Sequence, residues 1–473
     1  MMRMADLLAR LDGARVVGAV TDDILRVHTD TRSLRPGDLF VALRGERFDA
    51  HAFLAQARAA GAVAALAEHG LAEAGLPGVE VPDSRRALGQ LGRLWREQFE
   101  LPLIAVTGSN GKTTVTQMIA AILRAAAGEA THATRGNFNN DIGVPLTLLR
   151  LEASHRYSVV ELGMNHPGEI AALAALVQPT VALVNNAQRE HQEFMTSVEA
   201  VARENGAVFG ALRSGGTAIF PSDDPVHTPI WREMAGRHRV LTFSDTDPAA
   251  DVHLLDARWA SGAWQIRWRC PAGEREGVLR IAGRHNLRNA MAAAASALAA
   301  GIAPEAVARG LTMFEPVGGR SRALALRLAG RDVTVVDDTY NANPDSMIAA
   351  VDVLAELPAP RLLVLGDMGE VGEQGLAFHL EVLRHARARG IGQVLCAGEW
   401  MRQATAALQA AGEAVPVHRA DVDALAAHVA QQALRLDGPA SVLVKGSRFM
   451  RMERVVEALQ AAQEQQEGNT HAA

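Results

Sequence analysis

Aromatic side chains are scarce in this chain, 4% of 473 residues, so its cores must be filled largely by Ala, Leu and Val. That composition suits helices covering parallel sheets and argues against an all-β sandwich. Cysteine is nearly absent. Cys270 and Cys396 have no metal or redox spacing, which excludes a disulfide-stapled fold and fits a reduced, cytoplasmic setting. No apolar run approaches membrane-spanning length, and Asp6, Arg10, Asp12 and Arg15 interrupt the N-terminus, so neither membrane insertion nor a signal peptide is expected. A basic surplus is missing as well: the net charge is −6 with no basic stripe, so nucleic acid is not an expected partner. There is no repeat of fixed period and no apolar heptad, and a monomer is expected.

What is present is an ordinary globular composition, 48% hydrophobic and 21% charged, in a chain long enough for about three domains. The first, 1–98, reads as a small α/β module with turns such as Arg35-Pro36-Gly37-Asp38 and a helical connector from Ser84 to Phe99. The second, 99–316, opens with an apolar strand running into Thr107-Gly108-Ser109-Asn110-Gly111-Lys112-Thr113-Thr114 and a helical stretch to Ala127. This is the pattern of a phosphate-binding loop. Its glycines let backbone N–H groups close on phosphate oxygens, the helix start adds its positive dipole end, Lys112 adds a charge, and the Thr113 hydroxyl can hold Mg²⁺. The longer form of such a loop begins with glycine where this chain has Val106, so the motif is a short one, and a glycine-capped strand-to-helix turn is its plain alternative.

Further on, Tyr157 to Leu162 and Val181 to Asn186 are apolar runs with polar ends, where open α/β sheets place their sites. The helix Asn289 to Ala300 is too rich in alanine to carry chemistry in its interior, but it is entered through Gly283-Arg284-His285-Asn286. In the third segment, 317–473, apolar strands end in Asp337-Asp338, Gly366-Asp367, Ala397-Gly398 and Lys445-Gly446, with helices between, which reads as a doubly wound sheet. The tail from Ala458 is expected to fray.

The phosphate loop, Gly283-Arg284-His285-Asn286 and Asp337-Asp338-Thr339-Tyr340-Asn341-Ala342-Asn343-Pro344 together resemble the Mur ligases, the ATP-dependent amide-bond enzymes of peptidoglycan precursor synthesis, over nearly the whole chain. The resemblance implies a three-domain α/β architecture: a small N-terminal α/β domain, a central P-loop ATPase domain with a mostly parallel sheet, and a C-terminal Rossmann-like doubly wound domain. Gly136 to Pro145, Glu161 to Glu169 and Leu365 to Glu370 are similar to the branch that adds D-alanyl-D-alanine to a UDP-MurNAc-tripeptide, and the Asp-Asn-Pro-Arg of the diaminopimelate-adding branch is absent.

By that resemblance ATP phosphorylates the peptide carboxylate and the dipeptide amine attacks the acyl phosphate. The implied catalytic set is Lys112, Glu161 and His191, with Thr113, Glu161 and His191 as Mg²⁺ ligands. Gly108, Asn110, Gly111, Lys112, Thr113, Thr114, Asn286, Arg320 and Asp338 would hold ATP. Thr31 and Arg32 would meet the UDP end of the sugar nucleotide; Asn137, Asn139 and Asn140 its peptide; Tyr340, Asn341, Asn343 and Lys445 the reacting centre and the dipeptide. Val317-Gly318-Gly319-Arg320 reads as a hinge. One departure is plain. Where the family carries a lysine that is carbamylated to help hold the second Mg²⁺, this chain has Asn205, so its amide oxygen, Glu204 or Glu199 would have to substitute. Other amide ligases of the same architecture, an ATP-driven switch without amide chemistry, and a remnant with a broken metal site are the alternatives.

Overall fold

Alternating strands and helices build three separate sheets in the computed structural model, which describes residues 3–20, 24–45, 48–190, 193–260, 262–435 and 437–471. His191 lies outside the described residues.

The N-terminal sheet is 5-stranded, in the order Arg15–Val17, Gly78–Glu80, Ala64–Ala67, Asp38–Val41, Arg26–His28, parallel except for its first pair. Asp38–Val41 and Ala64–Ala67 are buried at every position, as strands covered on both faces must be. The connector helix Ser84–Arg96 starts where the Asp83 side chain accepts the Arg86 amide at 2.9 Å. It shares a core with Leu146 and Leu149 of the next part of the chain. At its end Arg96 is fully buried, donating to the carbonyls of Val177 at 3.0 Å and Phe99 at 2.6 Å. Those neutral acceptors do not offset the loss of water, and burial pulls the guanidinium down to about 10.

The central sheet is 9-stranded. From Thr131–Ala133 through Tyr157–Glu161, Leu103–Thr107, Val181–Val184, Thr217–Pro221 and Arg239–Ser244 to Val252–Ala260 it is parallel, and Ala263–Cys270 and Gly273–Leu279 extend it as antiparallel hairpins. Lys112–Ala127, His285–Ala299 and Pro304–Met313 cover one face; Glu169–Val177, Val198–Gly206 and Thr228–Ala235 cover the other. Ala290, Ala292, Ala293, Ala294, Ala295 and Ala297 of His285–Ala299 are solvent-free, and their small size lets the helix lie close on the strands, which is the inert role its interior was expected to have. The phosphate-loop strand sits between Tyr157–Glu161 and Val181–Val184, so the carboxyl ends of all three open on one crevice.

The C-terminal sheet is 6-stranded, in the order Arg322–Leu328, Arg331–Asp338, Ser441–Lys445, Arg361–Leu365, Gln393–Ala397, Val417–Arg419, with only the first pair antiparallel. Pro344–Glu356, Gly375–Ala388 and Glu399–Ala410 pack on one face and Val422–Ala433 with Glu453–His471 on the other, the doubly wound arrangement expected. The tail corrects one expectation: the helix Glu453–His471 runs through Ala458 instead of fraying there, its Ala, Gln and Glu being good helix formers. Of the two glycines before Arg320, Gly319 is tied down by hydrogen bonds. Gly319 donates to Asp337 Oδ2 at 2.7 Å and accepts from the Tyr340 amide at 3.0 Å. Among the described residues no helix is long and apolar enough to cross a membrane.

Candidate functional site

The phosphate loop owes its shape to what lies behind it. Gly111 caps the helix Lys112–Ala127 with φ +79°, and a Cβ there would come within 2.6 Å of Asn289 Oδ1. No residue with a side chain fits. At Gly108, φ is +131° and a Cβ would stand 3.0 Å from the amides of Asn185 and Asn186. Asn205, fully buried, braces the start of the loop: its Oδ1 accepts the Thr107 hydroxyl at 2.5 Å and the Gly108 amide at 2.9 Å, and its Nδ2 donates to Val201 O at 3.1 Å. With every polar atom engaged, Asn205 is a loop buttress in this fold, not a ready metal ligand. The two acids considered as substitutes are also committed, Glu204 to the amides of Gly168 and Ile170 and Glu199 to Arg203.

An array of neutral amides fixes the rest of the loop. Asn110 N donates to Asn186 Oδ1 at 2.9 Å, Asn110 O accepts from Asn185 Nδ2 at 2.8 Å, and Asn110 Nδ2 donates to Gln188 Oε1 at 2.6 Å. Asn185 Nδ2 also reaches Asn289 Oδ1 at 2.9 Å, and Asn289 Nδ2 reaches Asn286 Oδ1 at 2.8 Å. Asn286 is therefore inside the first turn of its helix, whose cap is Arg284, and its Nδ2 donates to Ala282 O at 2.7 Å. From the C-terminal sheet, Asn343 Nδ2 donates to Asn110 Oδ1 at 2.9 Å while the Asn343 oxygen caps the helix Pro344–Glu356. Lys112 Nζ lies over the loop, donating to Gly108 O at 2.6 Å and Ser109 O at 3.1 Å and facing Glu190 Oε2 at 3.3 Å.

Glu161 ends its strand almost wholly buried. Asn139 Nδ2 donates to its Oε1 at 2.7 Å, and its Oε2 is buried with no hydrogen-bond partner among the described residues. A carboxylate oxygen in that state beside a phosphate loop suits a hard cation. Thr113 is buried at the loop, within reach of the same cavity. Asn140 spends its Oδ1 on the amides of Ile142 and Gly143, opening the helix Gly143–Leu148.

Across the crevice, Asp338 Oδ2 accepts from Lys445 Nζ at 2.6 Å, and its Oδ1 accepts from Ser321 N at 2.9 Å. Lys445 also donates to Asn341 O at 2.9 Å, so its charge is directed first at Asp338 and not held free for a substrate carboxylate. The Arg320 guanidinium stacks 4.0 Å from the centre of the Tyr340 ring, with Arg448 6.0 Å from the same ring. At the rim Arg288 grips Asp223 at 2.5 and 2.7 Å; burial works against both charges, and the pair still leaves the arginine above and the aspartate below their ordinary pKa values.

One cavity of about 1230 Å³ gathers nearly all the expected residues. Asn110, Gly111, Lys112, Thr113, Thr114, Asn137, Asn139, Asn140, Glu161, Asn286, Arg320, Asp338, Tyr340, Asn341, Asn343 and Lys445 line it. Gly108 stands behind the loop, and Thr31 and Arg32 lie on the N-terminal sheet's own turn, away from this lining. There Arg32 forks onto Asp30 at 2.7 to 3.2 Å, holding that carboxyl down at about 2. Nearby, Asp49, His51 and His69 cluster without inviting a metal, because His51 Nδ1 is 2.5 Å from Asp49 Oδ1 and its Nε2 accepts the Glu68 amide at 2.8 Å. Glu190, Asn289 and Ser321 were not expected in the site. Asn289 was legible: it lies one helical turn beyond Asn286 on the same face.

Three family models match in chain order: "Mur ligase family, catalytic domain" over residues 23–96, "Mur ligase middle domain" over 106–297, and "Mur ligase, glutamate ligase domain" over 321–448. The chain is 42% identical over 438 residues to a UDP-N-acetylmuramoyl-tripeptide–D-alanyl-D-alanine ligase of Escherichia coli, covering 92% of this chain and 93% of that one. Among solved structures it superposes on MurF from Acinetobacter baumannii with a TM-score of 0.87 at 33% identity, covering 97% of this chain and 99% of that one. It superposes on MurF ligase from Thermotoga maritima in complex with ADP with a TM-score of 0.80 at 26% identity, covering 94% and 99%.

Proposed function

The chain belongs to the Mur ligase family, and on that premise we propose that it joins D-alanyl-D-alanine to UDP-MurNAc-tripeptide at the expense of ATP, giving UDP-MurNAc-pentapeptide, ADP and phosphate. Hydroxide is a poor leaving group, so the peptide carboxylate is first phosphorylated by ATP. The dipeptide amine then attacks the acyl phosphate and phosphate departs. Most of the protein's contribution is positioning and charge neutralisation.

The observation that supports this most directly is the meeting, on one cavity, of the Lys112 loop, the half-partnered Glu161 carboxylate and the Asp338–Asn343 segment of a different sheet. Lys112, which donates to its own loop carbonyls, would shift to the β- and γ-phosphates. Thr113 and Glu161, with His191, would hold Mg²⁺, which neutralises charge on the phosphates and the acyl phosphate. Asn286 would face adenine, and Arg320, stacked on the Tyr340 ring, would meet phosphate oxygens. Asp338, with Lys445 bound to it, would face the ribose. Asn137, Asn139 and Asn140 would grip the peptide, and Thr31 and Arg32 the uridine end. Tyr340, Asn341 and Asn343 would receive the amine. Nucleotide substrates made inside the cell and two buried, unpaired cysteines fit a cytoplasmic enzyme.

Phosphate release with ATP, Mg²⁺ and UDP-MurNAc-tripeptide, with and without D-alanyl-D-alanine, tests the proposal. Release that requires both substrates, with the mass of the pentapeptide nucleotide, is expected. ATP turnover indifferent to them overturns it in favour of a switch.

A further inference from the structure

Arg189 stands in the loop after the strand Val181–Val184, among neighbours committed to the phosphate loop. Asn186 Oδ1 takes the Asn110 amide at 2.9 Å, Gln188 N donates to Ser109 Oγ at 2.9 Å, and Glu190 faces Lys112 Nζ at 3.3 Å. Arg189 turns the other way, into the C-terminal part of the molecule. Its backbone N–H donates to Asp345 Oδ2 at 2.7 Å, and its Nε and Nη2 donate to Asp345 Oδ1 at 3.0 and 2.6 Å. Its Nη1 and Nη2 donate to Glu381 at 2.8 and 3.1 Å, and the guanidinium lies 5.4 Å from the centre of the Phe378 ring. Asp345 and then Glu381 push its pKa further above the ordinary value.

The placement of these partners matters more than their number. Asp345 is in the first turn of Pro344–Glu356, two residues after Asn343, which itself bonds Asn110 of the phosphate loop. Glu381 and Phe378 belong to the neighbouring helix Gly375–Ala388. One planar fork therefore ties two helices of the C-terminal sheet to the loop that sets Glu190 against Lys112. Isolated exposed ion pairs contribute little, but a guanidinium shared by two carboxylates and an aromatic face is geometrically specific, and a lysine could not serve all three.

We propose that Arg189 is a positioning residue that holds the Asp338–Asn343 segment, where the dipeptide amine would enter, in register with the phosphate loop. This rests on the ligase reading above. In Arg189→Ala, kcat is expected to fall roughly ten- to a hundredfold, the loss that follows from an ångström of misplacement. The dipeptide KM should rise while ADP affinity stays near wild type, and Arg189→Lys should recover part of the rate. Asp345→Asn/Glu381→Gln, which keeps side-chain shape, should reproduce the defect if Arg189→Ala folds poorly.

Spin labels at Glu233→Cys and Gln409→Cys, exposed sites on the two parts, report the geometry without turnover. The native Cys270 and Cys396 are buried. The wild type is expected to give one narrow distance distribution and Arg189→Ala a broadened one. Unchanged distances together with unchanged kcat and dipeptide KM overturn the proposal. A wild type that makes no pentapeptide nucleotide would instead overturn the ligase reading, leaving the distance measurement to judge Arg189.

Discussion

The amide oxygen of Asn205 lies 2.5 Å from the hydroxyl of Thr107, so the residue expected at the place of a carbamylated lysine is here a brace for the strand that delivers the phosphate loop. Asn205→Ala would strand the Thr107 hydroxyl and the Gly108 amide and should destabilise the protein by about 1–3 kcal/mol, read as a lowered thermal midpoint, with a raised KM for ATP. Asn205→Lys should be worse, since the site is solvent-free and the groups that meet Asn205 are the neutral Thr107 hydroxyl, Gly108 amide and Val201 carbonyl. A lysine variant as stable and active as wild type would show that the pocket accepts the charged group after all.

Glu161→Gln keeps an oxygen for Asn139 Nδ2 and removes the charge on the partnerless side. The fold should survive, judged by an unchanged thermal midpoint, while kcat falls roughly a hundredfold or more and the Mg²⁺ concentration for half-maximal rate rises. Chelation should silence the wild type reversibly. A variant with normal Mg²⁺ dependence would remove Glu161 from the metal site.

Tyr340 offers its ring to Arg320 at 4.0 Å, and the face, not the hydroxyl, carries that contact. Tyr340→Phe should therefore behave nearly as wild type towards ATP. Tyr340→Ala should raise the ATP KM about two- to tenfold, the size of a partly exposed cation–π contact. Equal effects of the two substitutions would point to the hydroxyl instead.

His132 is buried beside Ser158, and burial, with Arg150 adding repulsion, lowers its pKa to about 3. The unfolded chain binds that proton near pH 6.5, so between about 6.5 and 3 the unfolded state holds more protons and stability drops as pH falls, by about 1.4 kcal/mol per unit. His132→Gln should flatten this dependence. The check is the change in thermal midpoint from pH 7 to pH 5, which should be smaller in the variant.

Contacts made within one strand-loop-helix unit were legible from the residues alone. The phosphate loop, the acid at the end of Tyr157–Glu161 and the polar turn after Asp338 are local patterns with a chemical meaning. What the sequence does not display is pairing at a distance. Nothing near Asn110 announces Asn343, 233 positions away, and nothing near Arg189 announces Glu381. Lys445 looks like a solvated strand end until the parallel register sets it beside Asp338. The alternation of buried Trp264, Ile266, Trp268 and Cys270 with exposed Gln265, Arg267 and Arg269 is a clear strand signal, yet it does not say which edge of which sheet it joins.

The neutral amides around the phosphate loop also bear on how the protein ages. Asn110-Gly111 is the kind of step that in a loose peptide cyclises readily to a succinimide, losing ammonia and turning an asparagine into an acid. Here Gln188 and Asn343 hold the Asn110 side chain from both sides, and Asn185 and Asn186 hold its carbonyl. The amide is kept from swinging onto the Gly111 nitrogen. The same contacts that shape the loop should slow that loss of neutrality, and a negative charge there would repel a phosphate.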